Sequence, residues 1–208
     1  MKLNLKEQRI GFTSDLHLFH HNIIQYSNRP FKDILEMNEA IRDNHNKIFG
    51  KKDIIFNLGD AIVIPKYKHN LNYINSIESL LKSFNGTIYY APGNHERQLD
   101  YIKRCWKILP QLYEISVFEP DGYRQNIVMC HYAMRVWNKS HHGSWHLFGH
   151  SHGGLCNDLN IPMIAHETSL SMDVGVDCNN YKPFLYEDIK THMSTKKFKS
   201  VDHHGNDS

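Results

Sequence analysis

Short apolar runs rich in β-branched and aromatic residues alternate with amphipathic stretches along the chain. The runs have the length and composition of strands, and they span residues 9–14, 53–58, 87–91, 126–130, 145–148 and 172–176. Between the first three runs, apolar residues recur every three or four positions, which predicts helices over residues 33–49 and 71–84. This alternation of strand and helix predicts parallel strands joined by right-handed crossovers.

Each predicted helix has one apolar face. In the first helix this face comprises Ile34, Met37, Ile41 and Ile48, and in the second it comprises Leu71, Ile74, Ile77, Leu81 and Phe84. Asp33 is expected to cap the first helix, with Glu36 three residues later. The second half of the chain has more strands and fewer helices, so some pairing there is expected to be antiparallel. The predicted fold class is a layered α/β sandwich with mixed sheets.

Composition favours one globular domain. The chain has 208 residues, of which 40% are hydrophobic and 22% are charged. We expect a single domain over residues 1–190 and a polar, flexible tail over residues 191–208. The formal net charge of +2 is too small to indicate a nucleic-acid partner. The four cysteines form no CxxC pair, and no stretch resembles a signal peptide or a membrane span, which favours a reducing compartment.

Polar residues of the metal-ligand type follow five of the predicted strands. They are Asp15 and His17, then Asp60, then Asn94 and His95, then His131, then His150 and His152. In α/β sheets, ligands bind outside the carboxyl ends of the strands. Oxygen and imidazole donors without thiolate suit Mn²⁺, Fe, Zn²⁺ or Ni²⁺. The set exceeds the roughly four protein ligands of one zinc ion. It fits two ions that share a carboxylate, an arrangement suited to displacement at phosphorus.

The ordered blocks DxH, GD, GNHE, H and GHxH resemble those of the calcineurin-like metallophosphoesterase superfamily. The stretches SDLHLFHHNII, NRPF, HYAMRVW and VGVDCNNYKP add a narrower similarity to small stand-alone members from bacteria and phages. The resemblance implies a four-layer α/β/β/α sandwich with a site for two metal ions at one end of its mixed sheets. It also implies a cytoplasmic protein of a bacterium, or a phage protein in the host cytoplasm.

The resemblance assigns a role to each residue of these blocks. Asp15, His17 and His152 correspond to ligands of the first ion, Asp60 to the bridging carboxylate, and Asn94, His131 and His150 to ligands of the second ion. His95 corresponds to a catalytic histidine that binds no metal and assists the leaving group. His20 is a candidate to contact substrate phosphate or to orient a ligand, and Arg97 is a candidate contact to substrate phosphate. Two divalent ions are expected as cofactors, with Mn²⁺ first and Fe, Zn²⁺ or Ni²⁺ as alternatives.

The implied activity is hydrolysis of a phosphoester by a hydroxide that bridges the two ions, with His95 as the acid. The leading hypothesis is a phosphodiesterase or phosphatase that acts on nucleotides or other small phosphoesters. A nuclease or nucleic-acid end phosphatase is the alternative, and a phosphoprotein phosphatase is a third possibility. A scaffold without enzymatic activity is the contrasting class, and such a chain would be expected to lose ligand positions that this sequence keeps. No membrane partner is expected.

Overall fold

The computed structural model describes residues 1–64, 71–95, 99–157 and 168–199. Its strands are β1 (Lys2–Asn4), β2 (Ile10–Thr13), β3 (Ile54–Asn57), β4 (Thr87–Tyr90), β5 (Lys107–Ile108), β6 (Leu112–Phe118), β7 (Arg124–Cys130), β8 (Trp145–Phe148), β9 (Ser171–Asp173) and β10 (Phe184–Leu185). Its α-helices are α1 (Ile23–Tyr26), α2 (Ile34–Ile48), α3 (Leu71–Lys82), α4 (Leu99–Ile102), α5 (Gly154–Asn157) and α6 (Tyr186–Ser194). Short 3₁₀ helices span Ser140–His142 and Val176–Asn179.

The described strands form two five-stranded sheets. The first has the order β10-β2-β3-β4-β5, and the second has the order β1-β6-β7-β8-β9. Strands β2, β3 and β4 pair in parallel, as predicted, while β10 runs antiparallel to β2. In the second sheet β6 and β7 are antiparallel, and β7, β8 and β9 are parallel. The prediction of an α/β sandwich with mixed sheets is therefore confirmed.

The two faces of the first sheet bury different partners. Successive side chains of a strand point to opposite faces, so Ile55 joins a cluster with residues of α2 and α3, while Phe56 joins a second cluster between the sheets. The second cluster also contains Ile127 and Leu147 of the opposite sheet. Among the described residues, the outer face of the second sheet is covered in part by Trp137, whose ring lies 5.3 Å from that of His146. These layers fix the sheets face to face.

The start of α2 follows the sequence closely. Asp33 caps the helix, because its side chain accepts hydrogen bonds from the backbone N–H groups of Leu35 and Glu36 at 3.0 and 2.9 Å. The Glu36 carboxylate accepts instead from the backbone N–H of Lys32 at 2.7 Å. The predicted cap is therefore confirmed, and Glu36 extends it by one residue toward the N-terminus.

Several predicted boundaries differ from the structure. Leu71 was expected on the apolar face of α3, but it is 71% exposed, since the first turn of α3 contains no buried residue. The strand predicted over 172–176 ends at Asp173 and passes into the 3₁₀ helix.

Strand β6 was missed because it alternates apolar and polar residues instead of forming a continuous apolar run. The tail boundary at residue 191 falls inside α6, where Met193 is buried. Residues 200–208 lie outside the described part of the chain.

The longest described helix, α2, has 15 residues. Within the described ranges, no helix combines the length and the apolar character that crossing a membrane requires.

Candidate metal centre

The ends of five strands converge on one cluster of side chains. Asp15 and His17 follow β2, Asp60 follows β3, and Asn94 and His95 follow β4 in the first sheet. His131 follows β7, and His150 and His152 follow β8 in the second sheet. Because the carboxyl ends of parallel strands lie at the same edge, the eight side chains meet where the two sheets face each other.

The floor of the cluster is buried. Asp15, His17, Asp60 and His131 are each no more than 2% exposed. The Nε2 atom of His17 lies 3.9 Å from Oδ1 of Asp15 and 3.9 Å from Oδ2 of Asp60. On its other side, Asp60 Oδ2 lies 3.6 Å from Nε2 of His131. Two ligands of one ion, each bound at about 2.1 Å, lie about 3–4 Å apart. The observed separations therefore match donors that surround an ion.

The described residues form two overlapping groups that could hold a metal ion. One group contains Asp15, His17 and His152, and the other contains Asp15, Asp60 and His131. The Nε2 atom of His152 lies 4.0 Å from Oδ1 of Asp15. The overlap at Asp15, together with the position of Asp60 between His17 and His131, matches two neighbouring ions better than two separate sites.

Asn94 and His150 extend the second group to the surface. The Oδ1 atom of Asn94 lies 2.9 Å from Nε2 of His131 and 2.9 Å from Nδ1 of His150. Both Asn94 and His150 are exposed, whereas His131 is buried. The backbone N–H of His150 donates to Oδ2 of Asp15 at 2.9 Å, which ties the loop after β8 to the end of β2. One side of the cluster is therefore open to solvent.

Hydrogen bonds fix the tautomers of two imidazoles. The Nδ1 atom of His131 lies 2.8 Å from the carbonyl oxygen of Leu58, so Nδ1 carries the proton and donates it. The Nδ1 atom of His152 likewise lies 2.7 Å from Oδ2 of Asp177. In each neutral ring this leaves a lone pair on Nε2, directed toward the carboxylates. A metal-binding histidine usually has this arrangement.

Buried polar atoms without partners test whether a cation fits. Within the described residues, Oδ1 of Asp15 and both ring nitrogens of His17 are buried and make no hydrogen bond. Burial raises the pKa of Asp15 to about 7 and lowers that of His17, so desolvation opposes charge on both groups. A cation among these atoms would satisfy their lone pairs and stabilise the Asp15 carboxylate. The residues present therefore fit divalent metal ions.

The backbone at the site adopts an uncommon conformation. Left-handed φ angles, between +47° and +68°, occur at Asp15, His17, Asp60, His150 and His152. Such angles are uncommon for residues other than glycine, although Asp and His tolerate them better than most. Each costs on the order of 1–3 kcal/mol and persists only where the surroundings enforce it. The concentration of strain at the candidate ligands indicates that this edge of the fold is shaped for binding.

His95 lies on the solvent-exposed side of the cluster, next to the buried Asp60. Its backbone N–H donates to Oδ1 of Asp60 at 3.0 Å, and its Nε2 atom lies 3.8 Å from Oδ2 of the same carboxylate. Its side chain is 44% exposed. The ring of His20 lies 5.4 Å from that of His17 and 6.2 Å from that of His95. Arg97, the other candidate substrate contact, lies outside the described residues.

Two acidic residues near the site support its loops. Asp173 is buried and accepts hydrogen bonds from the Ser151 hydroxyl at 2.5 Å and from the Gly153 N–H at 3.0 Å. It thereby holds the turn that carries His150 and His152. Asp177 accepts a hydrogen bond from Nδ1 of His152. Neither acid lies in either group of candidate ligands.

Arg29 and Tyr132 were not assigned to the site from the sequence. Arg29 is 3% exposed and pairs with Asp177. Tyr132 is 45% exposed, and its ring lies 5.1 Å from that of His131 and 4.9 Å from that of His150. In the sequence, the one sign that Tyr132 belongs to the site is its position next to His131. Arg29 was visible only as part of the NRPF stretch.

Comparisons with known proteins indicate the family to which this chain is similar. A family model described as calcineurin-like phosphoesterase matches residues 8–166. An uncharacterized protein of Methanocaldococcus jannaschii is 30% identical over 176 residues, which cover 85% of this chain and 86% of that protein.

Two solved structures are also similar. A protein of unknown function from Aquifex aeolicus has a TM-score of 0.64 at 19% identity, covering 89% of this chain and 99% of that one, which indicates a shared fold. The nuclease MPE of Pseudomonas putida has a TM-score of 0.44 at 15% identity, covering 69% of this chain and 61% of that one. On the match over residues 8–166, the chain belongs to the calcineurin-like phosphoesterase family.

Proposed function

We propose that this chain is a phosphodiesterase or phosphatase for nucleotides and other small phosphoesters and uses two divalent ions. Family membership supports metal-dependent phosphoester hydrolysis in general. One observation carries the proposal further, namely that Asp60 Oδ2 lies between Nε2 of His17 and Nε2 of His131, at 3.9 and 3.6 Å. A carboxylate placed between two imidazoles in this way suits a bridge between two ions.

The proposed ligands divide around that bridge. Asp15, His17 and His152 would hold the first ion, and Asn94, His131 and His150 would hold the second, with Asp60 shared. When the two ions are bound, the chemistry they supply is polarisation of the phosphoryl oxygens and activation of water. Mn²⁺ is the proposed occupant, and Fe, Zn²⁺ and Ni²⁺ suit the same oxygen and nitrogen donors.

His95 is proposed as the acid that protonates the leaving oxygen. Its exposed ring stands at the mouth of the site, while its backbone N–H holds Asp60 at 3.0 Å. A leaving group bound over Asp60 would therefore lie within reach of the imidazole. General acid catalysis by a histidine typically contributes 10²–10⁴-fold to the rate, by the usual order of magnitude.

His20 is proposed to contact the substrate next to His95. Its ring is half-buried between His17 and Tyr26, and its Nδ1 atom is buried without a hydrogen-bond partner in the described structure. The exposed part of this imidazole lies beside His95, where it can exchange a hydrogen bond with a phosphate oxygen. Burial and the neighbouring His95 lower the pKa of His20. The neutral ring would then act by hydrogen bonding instead of by charge.

The proposed substrate class follows from exposure and charge. The upper residues of the site, Asn94, His95 and His150, are exposed, so the reacting groups lie near the surface. The net charge of +2 supplies little of the electrostatic attraction on which nucleic-acid binding depends. A small, freely diffusing phosphoester fits these features better than a long polyanion.

The first experiment compares a nitrophenyl phosphodiester with the matching monoester, using metal-stripped protein supplemented with Mn²⁺. Hydrolysis of either compound, dependent on added metal, is the expected result. Faster cleavage of the diester would direct the search to cyclic nucleotides, dinucleotides and nucleic-acid ends. Faster cleavage of the monoester would indicate a phosphatase.

Calorimetric titration with Mn²⁺ supplies the control. Binding of two ions without turnover of either compound would contradict activity on general phosphoesters. Absence of both metal binding and turnover would contradict the enzymatic proposal and favour a scaffold.

A further inference from the structure

Arg29 lies buried beneath the candidate metal centre with every donor engaged. Its side chain is 0% exposed. Its Nε donates to Oδ1 of Asp177 at 2.9 Å, and one Nη donates to Oδ2 of the same carboxylate at 2.7 Å. Its other three N–H groups meet the carbonyl oxygens of Asp15 and Leu16, at 2.8 and 2.9 Å, and the sulfur of Met37 at 3.4 Å. A guanidinium has five donors, so none is left over.

The partners of Arg29 lead to two candidate ligands of the same ion. Asp177 accepts from Nδ1 of His152 at 2.7 Å, so the carboxylate orients the ring that presents Nε2 to the centre. The backbone carbonyl of Asp15 is the other partner, and Asp15 carries the second ligand in a left-handed conformation at φ +57°. One side chain therefore holds both the backbone of Asp15 and the orientation of His152.

Charge in this network is balanced. The Asp177 carboxylate forms an ion pair with the Arg29 guanidinium at 2.7 Å, so one negative charge faces one positive charge. The bidentate geometry requires a planar guanidinium, because an ammonium cannot reach two carboxylate oxygens and two carbonyls with fixed directions. A buried arginine in this position is costly unless all its partners are present. Arg29 is therefore better explained as a residue that positions Asp15 and His152 than as one that only fills space in the core.

We propose that Arg29 and Asp177 are positioning residues that set the affinity of the first ion's site, the one with Asp15, His17 and His152, and leave the second ion's site unchanged. The inference rests on the proposed function, because it assumes that Asp15 and His152 are ligands. A carboxylate behind a metal-binding histidine fixes the ring and increases its basicity, and its loss usually weakens metal binding about 10–100-fold. The second site is supported differently, by the Leu58 carbonyl behind His131.

The test is Asp177→Asn, with Asp53→Asn as its matched control. Asp53 also pairs with an arginine, Arg9, whose Nε and Nη both donate to Oδ2 of Asp53, at 3.0 and 2.7 Å. That pair lies at the start of β3, at the opposite end of the strand from Asp60. Both variants lose one carboxylate charge from an arginine pair, but Arg9 is 53% exposed whereas Arg29 is buried, so Asp53→Asn controls for the loss of the carboxylate charge and its hydrogen bonds away from the site.

The measurements are calorimetric titration of metal-stripped protein with Mn²⁺ and electron paramagnetic resonance of the loaded protein. The wild type and Asp53→Asn are expected to bind two ions and to give the signal of a coupled Mn²⁺ pair. Asp177→Asn is expected to weaken one site about 10–100-fold, leave the other unchanged, and give the signal of a single ion at limiting metal. Arg29→Lys is expected to weaken the same site, since lysine keeps the positive charge but cannot form the paired guanidinium hydrogen bonds to Asp177.

Each contrary result has a distinct meaning. Failure of the wild type to bind two ions would contradict the proposed function itself. Two ions bound normally by Asp177→Asn would overturn the positioning role alone. Equal weakening of both sites, or the same loss in Asp53→Asn, would show a general effect on the fold and would also overturn it. So would failure of both Asp177→Asn and Arg29→Lys to fold, because the pair would then support the whole sandwich.

Discussion

Gly149 passes so close to Ser14 that a Cβ atom on the glycine would lie 2.1 Å from the serine Oγ. The same Cβ would lie 2.4 Å from Oδ2 of Asp15. Gly149 follows β8 and Ser14 follows β2, so the contact joins the ends of strands from the two sheets. This close approach places His150 within hydrogen-bond distance of Asp15. The distance between the candidate ligands that follow β2 and those that follow β8 depends on this close approach.

Gly149→Ala is therefore expected to disrupt the centre. The added methyl group must displace Ser14 and Asp15, which we expect to reduce the free energy of unfolding by about 1–3 kcal/mol, the usual cost of overpacking. It should also weaken Mn²⁺ binding. Gly154→Ala is the control, since a Cβ there would meet nothing within 4 Å. Urea unfolding and calorimetry would measure both effects, and equal behaviour of the two variants would contradict the steric explanation.

Asp60→Asn is expected to abolish hydrolysis and to reduce the bound Mn²⁺ at both sites. The amide keeps the size of the side chain but loses the negative charge that is proposed to be shared by two ions. Metal content after dialysis and turnover of a nitrophenyl phosphoester are the measurements. Asp53→Asn, at the other end of β3, should retain both metals and activity. Full metal occupancy in Asp60→Asn would remove the basis for a bridging role.

His95→Gln is expected to lower turnover about 10²–10⁴-fold while both metals stay bound. The backbone N–H that holds Asp60 is retained in this variant, so the bridging carboxylate should keep its position. The loss should be smaller for a nitrophenyl leaving group, which needs little protonation, than for an alkyl leaving group. Loss of metal from the variant, or equal effects on the two leaving groups, would argue against an acid role.

His45→Gln is expected to reduce the loss of stability in acid. Burial lowers the pKa of His45 to about 4, so between about pH 6.5 and pH 4 the unfolded chain binds a proton that the folded chain does not. Stability therefore falls as the pH falls through this window, by up to about 3 kcal/mol from this residue. Glutamine can still donate to the Asn85 carbonyl, which His45 Nε2 contacts at 2.8 Å. Urea unfolding of metal-stripped protein at several pH values would reveal the difference, and parallel curves for both proteins would contradict it.

Much of the scaffold followed from local sequence signals. The apolar runs predicted the parallel core strands, the three-to-four-residue periodicity predicted α2 and α3, and Asp33 predicted the start of α2. Leu71 was placed wrongly because periodicity does not show where a helix leaves the core. Strand β6 was not predicted because it lacks the continuous apolar run that marked the predicted strands, and the predicted tail boundary fell inside α6, which no predicted helix covered.

By itself the sequence determined the kind of chemistry, because the blocks of Asp, Asn and His stand at the ends of strands in a fixed order. Only the tertiary structure decided how those side chains are held. The left-handed backbone at Asp15 and Asp60 lies where the ends of several strands pack closely together, next to Gly149 and Gly93. The pairing of Arg29 with Asp177 spans 148 residues. No local pattern encodes a contact over that distance, since its energy depends on two loops that meet only after the sheets have packed.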